Sequence, residues 1–183
     1  MIHVRVNGIF ITQSQSSGIL LREDDGKRTL PIVIGEYEAQ SIAMALEKIT
    51  PPRPITHDLI TNILGKLEIS VESVIITEIK ENTYYAIVRL VRNTEIIEID
   101  SRPSDAIALA VRLGTSIFVN EAVMDEAAYI PENTDDPNKK FLFKTDNDQV
   151  ENLKQQLAKA VESEDYEEAA KLRDRINRLE SGS

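Results

Sequence analysis

The chain has 183 residues, a formal net charge of −10, 42% hydrophobic residues and no cysteine. That is enough chain for one domain with a real core and an appendage, and the missing cysteines exclude disulfides, thiolate zinc sites and thiol nucleophiles. The charge excludes the broad basic excess of a tight nonspecific nucleic-acid binder, but not a local patch or the carboxylates of a metal-dependent hydrolase. Residues 2–12 are expected to form a strand, since Ile2, Val4, Val6 and Phe10 alternate with His3, Arg5 and Asn7. Ile19–Arg22 forms a second strand, and the Asp-Gly pair in Asp24–Lys27 turns it into a third over Thr29–Ile34. Pro31 inside that strand points to a sheet edge or a bulge. Gly35 to Lys48 follows as a helix with the stripe Ala39, Ile42, Ala43 and Leu46. Its first turn carries Glu36 and Glu38, which either complement the helix dipole or ligate a metal. Three prolines, Pro51, Pro52 and Pro54, stiffen the next loop. Thr56 is then expected to cap a second helix with Leu59, Ile60, Ile63 and Leu64 facing inward. His57, one of only two histidines, stands beside Asp58 at its start. Such a pair suits a general base or a metal ligand, or is merely surface polarity.

Glu68–Lys80, with Ile69, Val71, Ile75 and Ile79 on one face, Thr83–Arg92 and Thr94–Asp100 make an antiparallel meander. On its middle strand Arg89 shares a face with Tyr85 and Ile87, and Arg92 shares the opposite one with Tyr84. Arg beside Tyr on a sheet can grip single-stranded nucleic acid by charge and stacking, and can equally serve solubility. The next stretch, Ser101-Arg102-Pro103-Ser104-Asp105, ends a strand and opens an Ala-rich helix. Pro103 suits the first helical position, Asp105 the first turn, and Gly114 the end. Arg102, Ser104 and Asp105 thus meet at a helix N-terminus, where an anion or a carboxylate-held metal can sit. A short strand at Ser116–Val119 and an acidic helix over Asn120–Ala128 complete the body. The class is α+β: a mainly antiparallel sheet with packed helices, followed by a C-terminal α-helical hairpin.

The expected domains are 1–130, a linker over 131–148 interrupted by Phe141-Leu142-Phe143, which is expected to dock on the domain, and a hairpin over 149–183. Val150, Leu153, Leu157 and Ala160 give the hairpin's first stripe, and Tyr166, Ala169, Leu172, Ile176 and Leu179 its second. Two helices this short bury little alone, so they are expected to pair with a second copy or a protein partner.

Ser101-Arg102-Pro103-Ser104-Asp105-Ala106-Ile107-Ala108-Leu109-Ala110 resembles the signature of the bifunctional nuclease domain family. Leu30–Ala39 and Arg53–Leu59 resemble two further segments of that family in order and spacing. The tail, with Asp165-Tyr166-Glu167-Glu168-Ala169-Ala170 and Leu172-Arg173-Asp174, resembles the UVR motif, which implies protein–protein contact. The family resemblance implies cleavage of DNA and RNA. The sequence offers no motif of a Ser or Cys triad, no phosphate-binding glycine loop and no zinc-ligand spacing. The economical mechanism is then a divalent metal such as magnesium, held by carboxylates, that activates water while an Arg stabilises the developing charge. The candidates are Asp105 and Glu36 for the metal or as base, Arg102 for the phosphate, His57 with Asp58 for acid–base work, and Arg89 and Arg92 for nucleic-acid binding. The rival reading is a non-enzymatic oligomeric scaffold that recruits a repair or proteolysis partner through its tail. A homo-oligomer formed through the core is expected on either reading. No apolar run is long enough to span a bilayer and no signal-peptide pattern opens the chain, so a cytoplasmic protein without a membrane partner is expected.

Overall fold

The computed structural model describes residues 1–131, apart from 13, 14 and 25, together with 173. The chain divides into two units, Met1–Phe141 and Leu142–Ser183, and the described fold belongs to the first. The expected linker beyond its first residue, the docking of Phe141-Leu142-Phe143 and the helical hairpin all lie outside the described residues.

The elements run β1 (Ile2–Ile11), β2 (Ser17–Glu23), β3 (Thr29–Ile34), α1 (Glu36–Leu46), α2 (Thr56–Lys66), β4 (Ser70–Lys80), β5 (Thr83–Arg92), β6 (Glu95–Ser101), α3 (Pro103–Leu113), β7 (Ser116–Val119) and α4 (Glu121–Ala127). They form an α+β domain around one seven-stranded sheet of order β3-β2-β1-β7-β4-β5-β6. Every neighbouring pair is antiparallel except β4 and β7, which run parallel. β3 is an edge strand, as Pro31 requires, because an edge position spares one ladder hydrogen bond.

The four-residue β7 joins two antiparallel halves, pairing Ile2 with Val119 on β1 and Ser73 with Ser116 on β4. To reach that central position from the β6 edge, the chain must cross back over the sheet. α3 is the crossover, and it lies against β4 and β5. Ala106, Ile107, Ala108, Leu109 and Ala110 are buried there; the alanines let the helix axis approach the strands. This crossing carries the start of α3 to where α1 and α2 begin their own packing against it.

Three local expectations differ from the structure. β4 does not keep one apolar face: Ser73, Val74, Ile75 and Ile76 pair with β5 in unbroken register and are buried on both faces of the sheet. Irregularities at Val71/Ser73 and Ile76/Glu78 break its alternation, and a bulge shifts every later side chain to the other face. On α2, Leu59 and Ile63 are 53% and 48% exposed, so the inward stripe is narrower than expected. α2 packs chiefly on α3, a helix rather than a broad sheet, and one side of it suffices. Thr56 is not its cap. Ile55 holds the N-cap position, and its N–H donates to Asp58 Oδ2 at 3.1 Å.

Candidate active site

The three helices around α3 deliver one continuous polar network. α1 contributes Glu38 and Ser41 at i, i+3, hence on one face. α2 contributes His57 and Asp58 from its first turn. α3 contributes Arg102 and Asp105 at its start and Arg112 two turns later, on the same face as Asp105. Arg112 Nε donates to Asp58 Oδ1 at 2.7 Å, and its Nη2 donates to Ser41 Oγ at 3.0 Å. Ser41 Oγ lies 2.9 Å from His57 Nδ1, and His57 Nε2 lies 3.2 Å from Asp105 Oδ1. Arg102 then grips Asp105 through Nε and Nη2, at 2.7 and 3.1 Å, and reaches Glu38 Oε1 with Nη1 at 3.0 Å.

Asp105 is held as a carboxylate and can only accept, so His57 Nε2 carries a proton toward it. Arg112 can only donate, so Ser41 Oγ accepts from it and keeps a hydroxyl proton and a second lone pair, with which it can donate to His57 Nδ1 or accept from Nδ1–H. Ser41, His57 and Asp105 therefore stand in a line that no sequence motif announced, with the ring nitrogens in the reverse order to a serine protease triad. His57 is only 9% exposed, which removes the expectation of mere surface polarity.

Glu38 reaches its position because residue 35 is glycine. A Cβ on Gly35 would meet Glu38 Oε2 at 2.1 Å. Asp105 does not spend its carboxylate on the N–H groups of its own helix, as first expected. Both of its oxygens go to Arg102 and one also to His57.

The network forms one wall of a pocket of about 450 Å³. Its lining combines Glu38, Ser41, His57, Arg102 and Asp105 with Tyr37, Met44 and Ile55. Partial burial pushes the Asp105 carboxyl up, but hydrogen bonds from Arg102 and His57 outweigh it and hold the group below the usual carboxylate range. Asp58 is held low chiefly by the Arg112 guanidinium. Pairing with Asp105, and then Glu38, raises Arg102 further into its charged form.

A pH dependence follows. Both aspartates have folded values below their unfolded value of about 3.9. Their stabilisation is complete above that value and disappears as pH falls through the lower folded ones. Thermal midpoints measured from pH 6 down to pH 2.5 are expected to fall below about pH 4 in the wild type. They should fall less steeply in Asp58→Asn/Asp105→Asn. Parallel curves would show that the two carboxylates titrate alike folded and unfolded.

Of the residues singled out from sequence, Asp105, Arg102 and His57 meet directly, and Asp58 joins through Arg112. Glu36 does not line this pocket. It lines a separate groove of about 790 Å³ with Ile9, Ile11 and Ala39. Arg89 is on the sheet face away from Ala86, Val88 and Leu90, where it pairs with Glu98 at 2.7 Å and Glu72 at 3.9 Å. Arg92 stands exposed at the end of β5. Among the described residues no three His, Asp or Glu side chains gather as a metal-binding group. Sequence reading did not single out Ser41 or Arg112 and left Glu38 to the helix dipole. The usable signals were the i, i+3 spacing of Glu38 and Ser41 and the i, i+7 spacing of Asp105 and Arg112.

Residues 19–132, which include all three pocket helices, match the model of the bifunctional nuclease domain. Residues 147–182 match the UvrB/uvrC motif. An uncharacterized protein of Mycobacterium tuberculosis is 44% identical over 135 residues, 73% of this chain and 80% of its own length. Bifunctional nuclease 1 of Oryza sativa subsp. japonica is 31% identical over 108 residues, 57% of this chain and 33% of its own. Bifunctional nuclease 2 of Arabidopsis thaliana is 28% identical over 188 residues, 90% of this chain and 56% of its own. No helix among the described residues is long and apolar enough to cross a membrane.

Proposed function

We propose that this chain, which belongs to the bifunctional nuclease domain family, cleaves phosphodiester bonds of DNA and RNA in the pocket between α1, α2 and α3. One observation carries this reading: a single guanidinium, Arg102, is flanked by Glu38 at Nη1 and by the Asp105–His57 pair at its Nε and Nη2 edge. A phosphate drawn onto Arg102 would have a carboxylate on one side and an imidazole N–H on the other. That suits in-line displacement. Glu38 takes a proton from the attacking water while the P–O bond forms. His57 acts in its doubly protonated form: Nε2–H protonates the departing oxygen as the old P–O bond breaks, and the ring is left neutral. Arg102 stabilises the charge on the non-bridging oxygens, and its fork matches them better than an ammonium would. Asp105 holds His57 and Arg102 in place. Asp58 acts at one remove, by fixing Arg112. Arg89 and Arg92 take no part.

A magnesium ion fits these residues poorly. The two carboxylates available to it, Glu38 and Asp105, are bridged by Arg102, so the ion would have to take the place of that guanidinium. No step is routed through a metal. The match of the tail to the UvrB/uvrC motif supports a protein-binding role in the same chain. The scaffold reading draws its support from the charge of −10 and from the closed ion pairs around Arg102.

Glu38→Gln decides between the two. It keeps the shape and a hydrogen-bonding oxygen but cannot accept the water's proton at neutral pH. Cleavage of a fluorescent single strand by the full chain is expected to fall about 10²-fold, with magnesium and with excess chelator alike. An unchanged rate removes Glu38 from the chemistry, and a wild type that loses all cleavage on further purification leaves the scaffold.

A further inference from the structure

The pocket's lining includes apolar and aromatic side chains that have no role in the reading above. Tyr37, in the first turn of α1, is 83% exposed although it is a large aromatic. It lines the same pocket as Met44, Ile55, Arg102, His57 and Asp105. An exposed ring gives up water contact poorly and gains no packing in the free protein, so its use lies in a ligand that covers it. At about 450 Å³ the pocket lies in the size range of small-molecule sites, far too small for a helical duplex. A phosphate held by Arg102 with a flat apolar ring laid on Tyr37 describes one nucleotide.

Resting on the nuclease reading of the same pocket, we infer that its substrate is a strand presenting an unpaired nucleotide, whose base stacks on Tyr37 while its phosphate takes Arg102 from Glu38. A base in a duplex has both faces covered by its neighbours and cannot reach the ring without leaving the stack. Single strands and locally open regions bind; closed duplex does not. Stacking is indifferent to the sugar and largely to the base, because every base has a π-face. The same pocket therefore serves DNA and RNA without a separate site for each.

The test measures binding apart from cleavage. A short fluorescein-labelled phosphorothioate single strand is titrated with the full chain by fluorescence anisotropy. The same strand as a blunt duplex and a free mononucleotide serve as competitors, and cleavage of the ordinary phosphodiester strand is measured on the same preparations. The single strand is expected to bind at least tenfold more tightly than the duplex, and the mononucleotide to displace it from the same site. Tyr37→Ala should weaken it by about tenfold and Tyr37→Phe should restore it. Tyr37 is on the surface, so neither variant endangers the fold. Equal affinity for strand and duplex, a mononucleotide that does not displace the strand, or Tyr37→Ala binding like wild type each overturns the inference. If cleavage proceeds unaltered in Tyr37→Ala, the hydrolase stands and the stacking site falls. If Tyr37-dependent binding persists with no cleavage at all, the stacking site stands and the hydrolase falls.

Discussion

His57→Gln is expected to slow phosphodiester cleavage by about 10³–10⁴-fold, the upper part of what a positioned proton donor supplies. Both polar atoms of the imidazole are engaged, Nδ1 by Ser41 at 2.9 Å and Nε2 by Asp105 at 3.2 Å. Glutamine can place an amide N–H near the position of Nε2 and so keep a contact with Asp105. It cannot give that proton away, because the amide is not an acid at neutral pH. It also leaves the Ser41 hydroxyl without its ring partner in a buried place, which costs about 1–2 kcal/mol. The account therefore predicts a large kinetic loss beside a small stability loss. Single-turnover cleavage and thermal melting on one preparation measure both. A variant that melts lower but cleaves at the wild-type rate would make His57 a packing residue and nothing more.

Arg112→Ala is expected to give the largest stability loss, about 3–5 kcal/mol. Its side chain is only 10% exposed and makes hydrogen bonds to Asp58 Oδ1, Ser41 Oγ, Ser41 O and Ala108 O. Removing it leaves the partly buried Asp58 carboxylate without its cation and the Ser41 hydroxyl oxygen without this donor. The energy comes from those orphaned groups more than from the lost attraction. The melting midpoint should drop by on the order of 10 °C. Arg112→Lys should recover only part of this, since a single ammonium cannot span acceptors on both α1 and α2. Asp58→Asn in the Arg112→Ala background should cost less than in the wild type, because the charge it removes is already unpaired. Strictly additive losses would mean that the two side chains do not act as a unit.

Much of this fold is legible in local chemistry. Pro103 at the first helical position and Gly114 at φ 67° bound α3 where the sequence places it. Pro31 falls on an edge strand, and the β5–β6 register follows from strict alternation. Local chemistry does not encode the place of β7. Four residues, Ser116–Val119, look alike at an edge or at the centre, and only the closing of two half-sheets around them settles it. The bulges of β4 are invisible for a related reason: they answer to neighbouring strands rather than to β4 itself.

The same division runs through the site. Arg102 and Asp105 could be paired from sequence because three positions separate them on one helix. His57 and Asp105 are 48 positions apart and meet only because α2 and α3 pack together. Glu38 was assigned to the helix dipole because an acidic first turn has that use by default. Its partner Arg102 comes from another helix, and the glycine that makes room for it explains itself only once the carboxylate is seen lying over it. Glu36 has the same local credentials and faces a different groove.

The measurement that bears most directly on the pocket as the place of cleavage is the rate of single-strand cleavage by Arg102→Lys, per mole of full chain, on preparations matched to wild type in circular dichroism and melting. Arg102 is 65% exposed at its side chain, so the fold should tolerate the change. Lysine keeps the charge but cannot hold a phosphate by two parallel bonds while lying between Glu38 and Asp105. The account predicts a fall of about 10²-fold in cleavage. Cleavage at the wild-type rate would contradict it and move the chemistry elsewhere in the chain.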